Sequence, residues 1–184
     1  MKDLTLMGDV SRLESHTQCN HASVSALVCK NTILEGDIRI GNGTVVHIDA
    51  SIIAKNGPII IGTNNIISDR VKIVNNHTTP LVIGDNNQIE TDAVIEGRGI
   101  GHKNVVQVRG KVVGTSTLGN NCVVGVMCET DPSENVPDNT ILFGNPQSRR
   151  TRSDNNAEYL EVHNKHLQYV HEMLPRYNAI IGAE

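Results

Sequence analysis

Aliphatic residues recur every six positions through most of this chain, a period that neither an amphipathic helix nor a plain strand produces. The series runs Val28, Leu34, Ile40, Val46 and Ile52, then Ile61, Ile67 and Ile73, then Ile83, Ile89 and Ile95. It continues through Ile100, Val106, Val112, Leu118 and Val124, and it closes at Val136 and Leu142. Four residues after each anchor the side chain is small or modest, as at Thr44, Ala50, Asn65, Asn87, Ala93, Gly110, Ser116, Cys122 and Cys128. Glycine often follows the anchor directly, as at Gly41, Gly62, Gly84, Gly101, Gly119 and Gly125.

A six-residue unit of this kind is a short strand plus a corner, and three units make one triangular coil. The anchor fills the interior, the small residue fits where the chain turns, and successive coils stack at about 4.8 Å. The pattern therefore predicts an all-β solenoid, a parallel β-helix of about seven coils. Composition agrees, because a chain with no Trp, one Phe and three Tyr can fill a narrow prism with aliphatic side chains but not a broad sandwich core.

The phase breaks are informative. Ile52 to Ile61 spans nine residues, Ile73 to Ile83 spans ten, and Ile95 to Ile100 spans five. If Ile-Gly or Leu-Gly opens each coil, all three irregularities fall at the same corner. One edge of the prism then carries the loops Lys55–Pro58 and Asn75–Pro80, either as a recognition surface or as harmless insertions.

After the repeat the pattern changes. Pro146 is expected to end the solenoid, and Ser153-Asp154 to cap a helix. Leu160, His163, Leu167, Val170 and Leu174 form a stripe at helical spacing, with Pro175 expected to mark the helix end. Such a helix most simply lies back on a prism face. The expected organisation is a lead-in over residues 1–21, a β-helix over 22–147, and a helix and tail over 148–184.

Net charge is -4, which offers no nucleic-acid footprint and no polybasic membrane patch. No apolar run approaches the roughly 20 residues of a membrane span, and Met1-Lys2-Asp3 opens no secretory signal. Cys19, Cys29, Cys122 and Cys128 form no C-x-x-C pair and are expected to be reduced and buried. The expectation from these features is a soluble intracellular protein.

Prisms of this kind host two enzyme activities. Leu34-Glu35-Gly36-Asp37, Ile40-Gly41 and Thr44 resemble the start of the γ-class carbonic anhydrase repeat, a family that holds its metal with three histidines. Aligned without breaking the repeat, that family's Arg position is Glu35, its Gln/Asp region reads His47-Ile48, and its three ligand positions fall on Ala54, Asp69 and Val74. Alanine and valine offer no donor, so the zinc site is absent. His16 and His21 precede the regular coils and have no third partner, while His47 and His102 read as satisfied or solvated. The second activity is acyl transfer. Val136–Pro146, "VPDNTILFGNP", resembles the closing coil of hexapeptide acyltransferases, and His77 sits in a loop where a general base would deprotonate an acceptor beside acyl-CoA. That loop adds only four residues, and the closing motif ends a prism rather than performing chemistry.

Several segments together resemble the dynactin subunit 6 family. They are "IGNGTVVHIDASIIAKNGPIIIGTNNII", "LGNNCVVGVMC", "VPDNTILFG", Arg149-Arg150, and "LPRYN" after the terminal helix, spanning roughly residues 22–178. The resemblance implies left-handedness for the β-helix, a C-terminal helix, no enzymatic activity, no catalytic, cofactor-binding or metal residues, and no cofactor. It implies pairing with dynactin subunit 5, contact with dynactin subunit 4 and the pointed-end actin-related protein, and through them dynein and cargo. It implies a cytoplasmic, cytoskeletal location without nucleic acid or membrane insertion. Acyl transfer with His77 as base is the alternative, and a γ-carbonic anhydrase-like protein stands behind it.

Overall fold

The computed structural model describes residues 26–144, 148–152 and 157–181. Its first coil holds β1 (Leu27–Val28), β2 (Ile33–Glu35) and β3 (Ile38–Ile40), and its second β4 (Val45–Val46), β5 (Ser51–Ala54) and β6 (Ile59–Ile61). The third holds β7 (Ile66–Ile67), β8 (Lys72–Asn75) and β9 (Leu81–Ile83), and the fourth β10 (Gln88–Ile89), β11 (Val94–Ile95) and β12 (Gly99–Ile100). The fifth holds β13 (Val105–Val106), β14 (Lys111–Val112) and β15 (Thr117–Leu118). In the sixth, β16 (Val123–Val124) and β17 (Asn135–Val136) flank a single bridge from Glu129 to Lys111. Then come β18 (Thr140–Phe143), β19 (Ser148–Thr151) and one helix, α1 (Ala157–Tyr177).

The result is a left-handed parallel β-helix with three flat faces. The first face reads β1-β4-β7-β10-β13-β16-β18-β19, the second β14-β11-β8-β5-β2, and the third β17-β15-β12-β9-β6-β3. Six coils are complete among the described residues, against the expected seven, because the seventh contributes only its opening strand, β18.

The anchors stack in exact vertical register. On the first face Val28, Val46, Ile67, Ile89, Val106, Val124 and Leu142 lie one above the other. On the third, Ile40, Ile61, Ile83, Ile100, Leu118 and Val136 do the same. They form one continuous aliphatic core with Ala50, Val71, Ala93, Cys122 and Cys128 at the corners. Between Val124 and Val136 the anchor position is Thr130. It is buried, and its hydroxyl meets both Ser116 Oγ (2.8 Å) and the Val113 N–H (3.1 Å).

Two corners are tight because each places a residue in the left-handed region just before the small inward one. At the third-to-first corner these are Gly43, Asn64, Asn86, Lys103, Asn121 and Asn139. Asparagine dominates the row because its short polar side chain tolerates positive φ. The inward row beside it is a ladder. The Asn65 N–H donates to Thr44 Oγ1 (3.1 Å), Asn87 N–H to Asn65 Oδ1 (2.9 Å), Asn104 N–H to Asn87 Oδ1 (2.8 Å), and Cys122 N–H to Asn104 Oδ1 (2.6 Å). The Oδ1 atoms of Asn65, Asn87 and Asn104 each accept a backbone N–H from the next coil, which offsets much of the penalty of placing polar side chains inside an aliphatic prism. Asn104 Nδ2 alone of the ladder is enclosed without a partner among the described residues.

Pro175 does not end the helix, which runs on to Tyr177. A proline fits helical φ and forgoes only its own bond, and the last turn closes through the Asn178 N–H on Leu174 O (2.9 Å). β19 carries no signal in the sequence, because an exposed Ser-Arg-Arg-Thr run has no apolar alternation. It is held by antiparallel pairing to β18 and by Arg149, whose guanidinium donates to Glu134 (2.6 Å) and Asp131 (3.1 Å). Pro146 and the Ser153-Asp154 cap lie outside the described residues.

Candidate functional site

The C-terminal helix α1 lies along the first face. Leu167 and Val170 cover the outward side chains Val45 and Ile66, flanked by Leu27 and Leu174. Each such side chain taken fully out of water stabilises by about 1.5–3 kcal/mol. Polar side chains of α1 cap the left-handed corner. His171 Nε2 donates to Gly43 O (2.9 Å), His163 Nε2 to Asn64 O (2.7 Å), and Tyr159 Oη to Asn86 O (3.0 Å). The helix thus spans three coils, one capped carbonyl per coil. Burial pulls the His163 imidazole below the ordinary histidine range and pushes the Tyr159 phenol well above its own. Beyond the helix, residues 179–181 pair with the first coil through Lys30 N–H on Ala179 O and Ile181 N–H on Val28 O (2.8 Å each). The stripe Leu160 to Leu174 identified this helix, but nothing local marked Tyr159, His163 and His171 as caps.

The loop edge forms as the phase breaks predict. Asn56 Nδ2 donates to Asn76 O (2.7 Å), and the buried Asn75 amide donates to Pro58 O (3.0 Å) and Thr79 O (2.9 Å). His77 folds back so that Nε2 donates to Gly114 O (2.9 Å). Arg98 reaches Thr79 Oγ1 (3.4 Å). These loops pack on one another and on the next coils, leaving a low ridge.

The positions weighed for zinc are dispersed in role. Ala54 is in β5, Val74 is buried in β8, and Asp69 accepts from His47 Nδ1 (3.1 Å). His47 Nε2 is enclosed and has no partner among the described residues. Burial lowers its proton affinity and Asp69 partly restores it. The pair is an oriented imidazole, but among the described residues no three His, Cys, Asp or Glu side chains are placed to hold a metal ion. His102 is a corner residue, its Nδ1 accepting the Asp85 N–H (2.9 Å). Cys29, Cys122 and Cys128 are buried and unbridged, with burial raising the Cys29 and Cys122 thiols. His16, His21 and Cys19 lie outside the described residues.

What remains exposed is flat surface. On the third face Val82 stands outward between buried Leu81 and Ile83, 47% exposed. On the first face, past α1, Val105, Val123 and Ile141 form a partly exposed row, and Val126 and Met127 stand out at the neighbouring corner. Among the described residues no helix is long and apolar enough to cross a membrane.

No family model matches the chain. It is similar to "Dynactin subunit 6" of Nematostella vectensis, 34% identical over 83% of this chain and 87% of that one. It is 30% identical to "Dynactin subunit 6" of Danio rerio over 94% of this chain and 92% of the relative. The Dictyostelium discoideum protein of the same description is 32% identical over 91% and 92% respectively. Among solved structures, a hexapeptide transferase family protein from Anaplasma phagocytophilum superposes with a TM-score of 0.68 at 16% identity, over 83% of this chain and 95% of that one. PerB from Caulobacter crescentus, solved with CoA and GDP-perosamine, gives 0.50 at 19% identity, over 70% and 58%. Likeness at this level of identity carries the prism fold and nothing of its chemistry.

Proposed function

Because this chain belongs to the dynactin subunit 6 family, we propose that it serves as a non-catalytic adaptor subunit of the dynactin pointed-end complex. In that role it supports dynein-driven transport and cargo engagement in the cytoplasm, on the cytoskeleton. The reading is carried by the animal and amoebal relatives that match along most of the chain rather than over the repeat alone. The expected contacts are dynactin subunit 5 as direct partner, then dynactin subunit 4 and the pointed-end actin-related protein.

The physical form suits that role. A stacked prism is held along its axis by strand pairing from coil to coil and by the side-chain ladder from Thr44 to Cys122. Its exposed valines on flat strands offer contact area without a deep cleft.

The competing reading is acyl transfer with His77 as base. Its one favourable observation is that the Gly114 carbonyl accepts from Nε2 and so orients the ring. Affinity purification of the tagged chain from its native cell separates the two readings. Recovery of the other dynactin subunits supports the adaptor. Recovery of a homotrimer that binds acetyl-CoA, with acyl transfer lost on His77→Ala, overturns it.

A further inference from the structure

The ridge of loops between the second and third faces carries an exposed Thr-Pro pair. The chain has six prolines, and only Pro80 follows a serine or threonine. Thr79 and Pro80 are both exposed at the tip of the loop between β8 and β9. The loop is tied at its base by the buried Asn75 amide, which donates to Pro58 O (3.0 Å) and Thr79 O (2.9 Å), while Asn75 Oδ1 accepts the His77 N–H (2.9 Å). Arg98, one coil further on, extends its guanidinium to Thr79 Oγ1 (3.4 Å). That contact is long and involves a neutral acceptor. Arg98 forms no ion pair among the described residues, whereas its neighbour Glu96 is matched to Lys72 (3.9 Å).

An exposed threonine, a proline directly after it and an unneutralised arginine at its hydroxyl form a consistent set. Proline lacks a backbone N–H, so an enzyme pocket that offers that position no acceptor tolerates proline and penalises every other residue. An arginine already aligned on the hydroxyl oxygen is placed to receive a phosphate, to which it can donate two parallel hydrogen bonds.

We propose that Thr79 is phosphorylated by a protein kinase of the class that requires proline directly after the acceptor, and that Arg98 holds the phosphate. The Thr79 hydroxyl oxygen attacks the terminal phosphorus of a nucleoside triphosphate. The new oxygen–phosphorus bond forms as the bond to the bridging oxygen breaks, the nucleoside diphosphate leaves, and the hydroxyl proton passes to the kinase's base. The product places about -1.5 to -2 charges on the ridge. It turns a weak neutral contact into a charge-assisted clasp between the third and fourth coils, and it gives the loop edge an anionic tip.

The test is in vitro phosphorylation of the full chain by a purified proline-directed kinase with Mg-ATP, mapped by fragment mass spectrometry. The expected product carries its phosphate on Thr79. Thr79→Ala and Pro80→Ala each lower incorporation about tenfold or more, and Thr78→Ala leaves it unchanged. Arg98→Ala leaves incorporation intact but speeds phosphatase removal of the Thr79 phosphate by roughly threefold to tenfold, with Arg98→Lys intermediate. All four positions are exposed, and circular dichroism confirms that each variant is folded. A folded wild-type chain that takes up no phosphate overturns the proposal. So does uptake undiminished by Thr79→Ala or by Pro80→Ala. Unchanged phosphatase resistance in Arg98→Ala removes Arg98 from it.

Discussion

His163 of the C-terminal helix donates from Nε2 to the carbonyl of Asn64, 2.7 Å away and 99 positions earlier in the chain. Asn64 is in the left-handed conformation, and its carbonyl accepts from the helix. The helix therefore does more than shade an apolar face, because it supplies the donor that the corner geometry leaves wanting. Replacing His163 with Leu keeps the packing and strands that carbonyl, at a cost of about 1–3 kcal/mol. Thermal unfolding should register the loss, and amide exchange should rise over the first three coils more than over the last three.

The same histidine carries a pH signature. Its folded-state proton affinity is lowered by burial, so the unfolded chain binds more protons as pH drops below about 6.5. Stability should fall with acidification from that value down to the folded-state pKa. His47, lowered chiefly by burial, acts in the same direction. Denaturant titrations between pH 7.5 and 5 on His163→Leu should show a shallower slope than wild type, and an unchanged slope would place the effect elsewhere.

At the other end of the prism the loss of stability with acid has a different cause. Glu134 is held below the ordinary carboxylate range by the Arg149 guanidinium, which donates to both its oxygens at 2.6 Å. Its contribution is present above pH about 4.3 and is lost as pH falls through the lower folded value. Arg149→Met should cost about 1 kcal/mol at pH 7 and almost nothing below that window, read as a difference in denaturation midpoint that closes with acid.

The asparagine ladder predicts a larger penalty. Asn87→Ala removes the acceptor of the Asn104 N–H and the donor that meets Asn65 Oδ1 (3.0 Å), all inside the core. Asn65 Oδ1 keeps the Asn87 backbone N–H (2.9 Å), so one orphaned N–H, one weakened acceptor and a small cavity should cost about 2–4 kcal/mol together. Equilibrium urea unfolding measures it. A loss under about 1 kcal/mol would mean the ladder is not coupled coil to coil.

Gly84 tests how closely the coils approach. A Cβ there would lie 2.6 Å from Gly101 O and 2.8 Å from its carbonyl carbon, both backbone atoms that cannot swing aside. Gly84→Ala should destabilise by about 2 kcal/mol or more, although alanine is the smaller change by volume. The glycine that follows the anchors is thus explained by contact between coils rather than by turn conformation.

The six-residue phase alone determined a great deal. It placed the vertical rows of Val28 to Leu142 and Ile40 to Val136 and the narrow aliphatic core. It also placed the edge that collects Lys55–Pro58 and Asn75–Pro80, because in a solenoid every structural contact repeats at a fixed offset and the offset is visible in the sequence. The stripe from Leu160 to Leu174 likewise announced a helix with one apolar side. What no local pattern carried was long-range pairing between unlike segments. That His163, His171 and Tyr159 would cap the carbonyls of Asn64, Gly43 and Asn86, that Ser148–Thr151 would close the first face, and that Arg98 would meet Thr79 depended on segments arriving at the same place. A repeat fixes what stacks on itself, whereas the position of a helix that returns along the prism is set by burial of Val45 and Ile66 and by the search of exposed carbonyls for donors. Those contacts are properties of the assembled surface, and only the tertiary structure decided them.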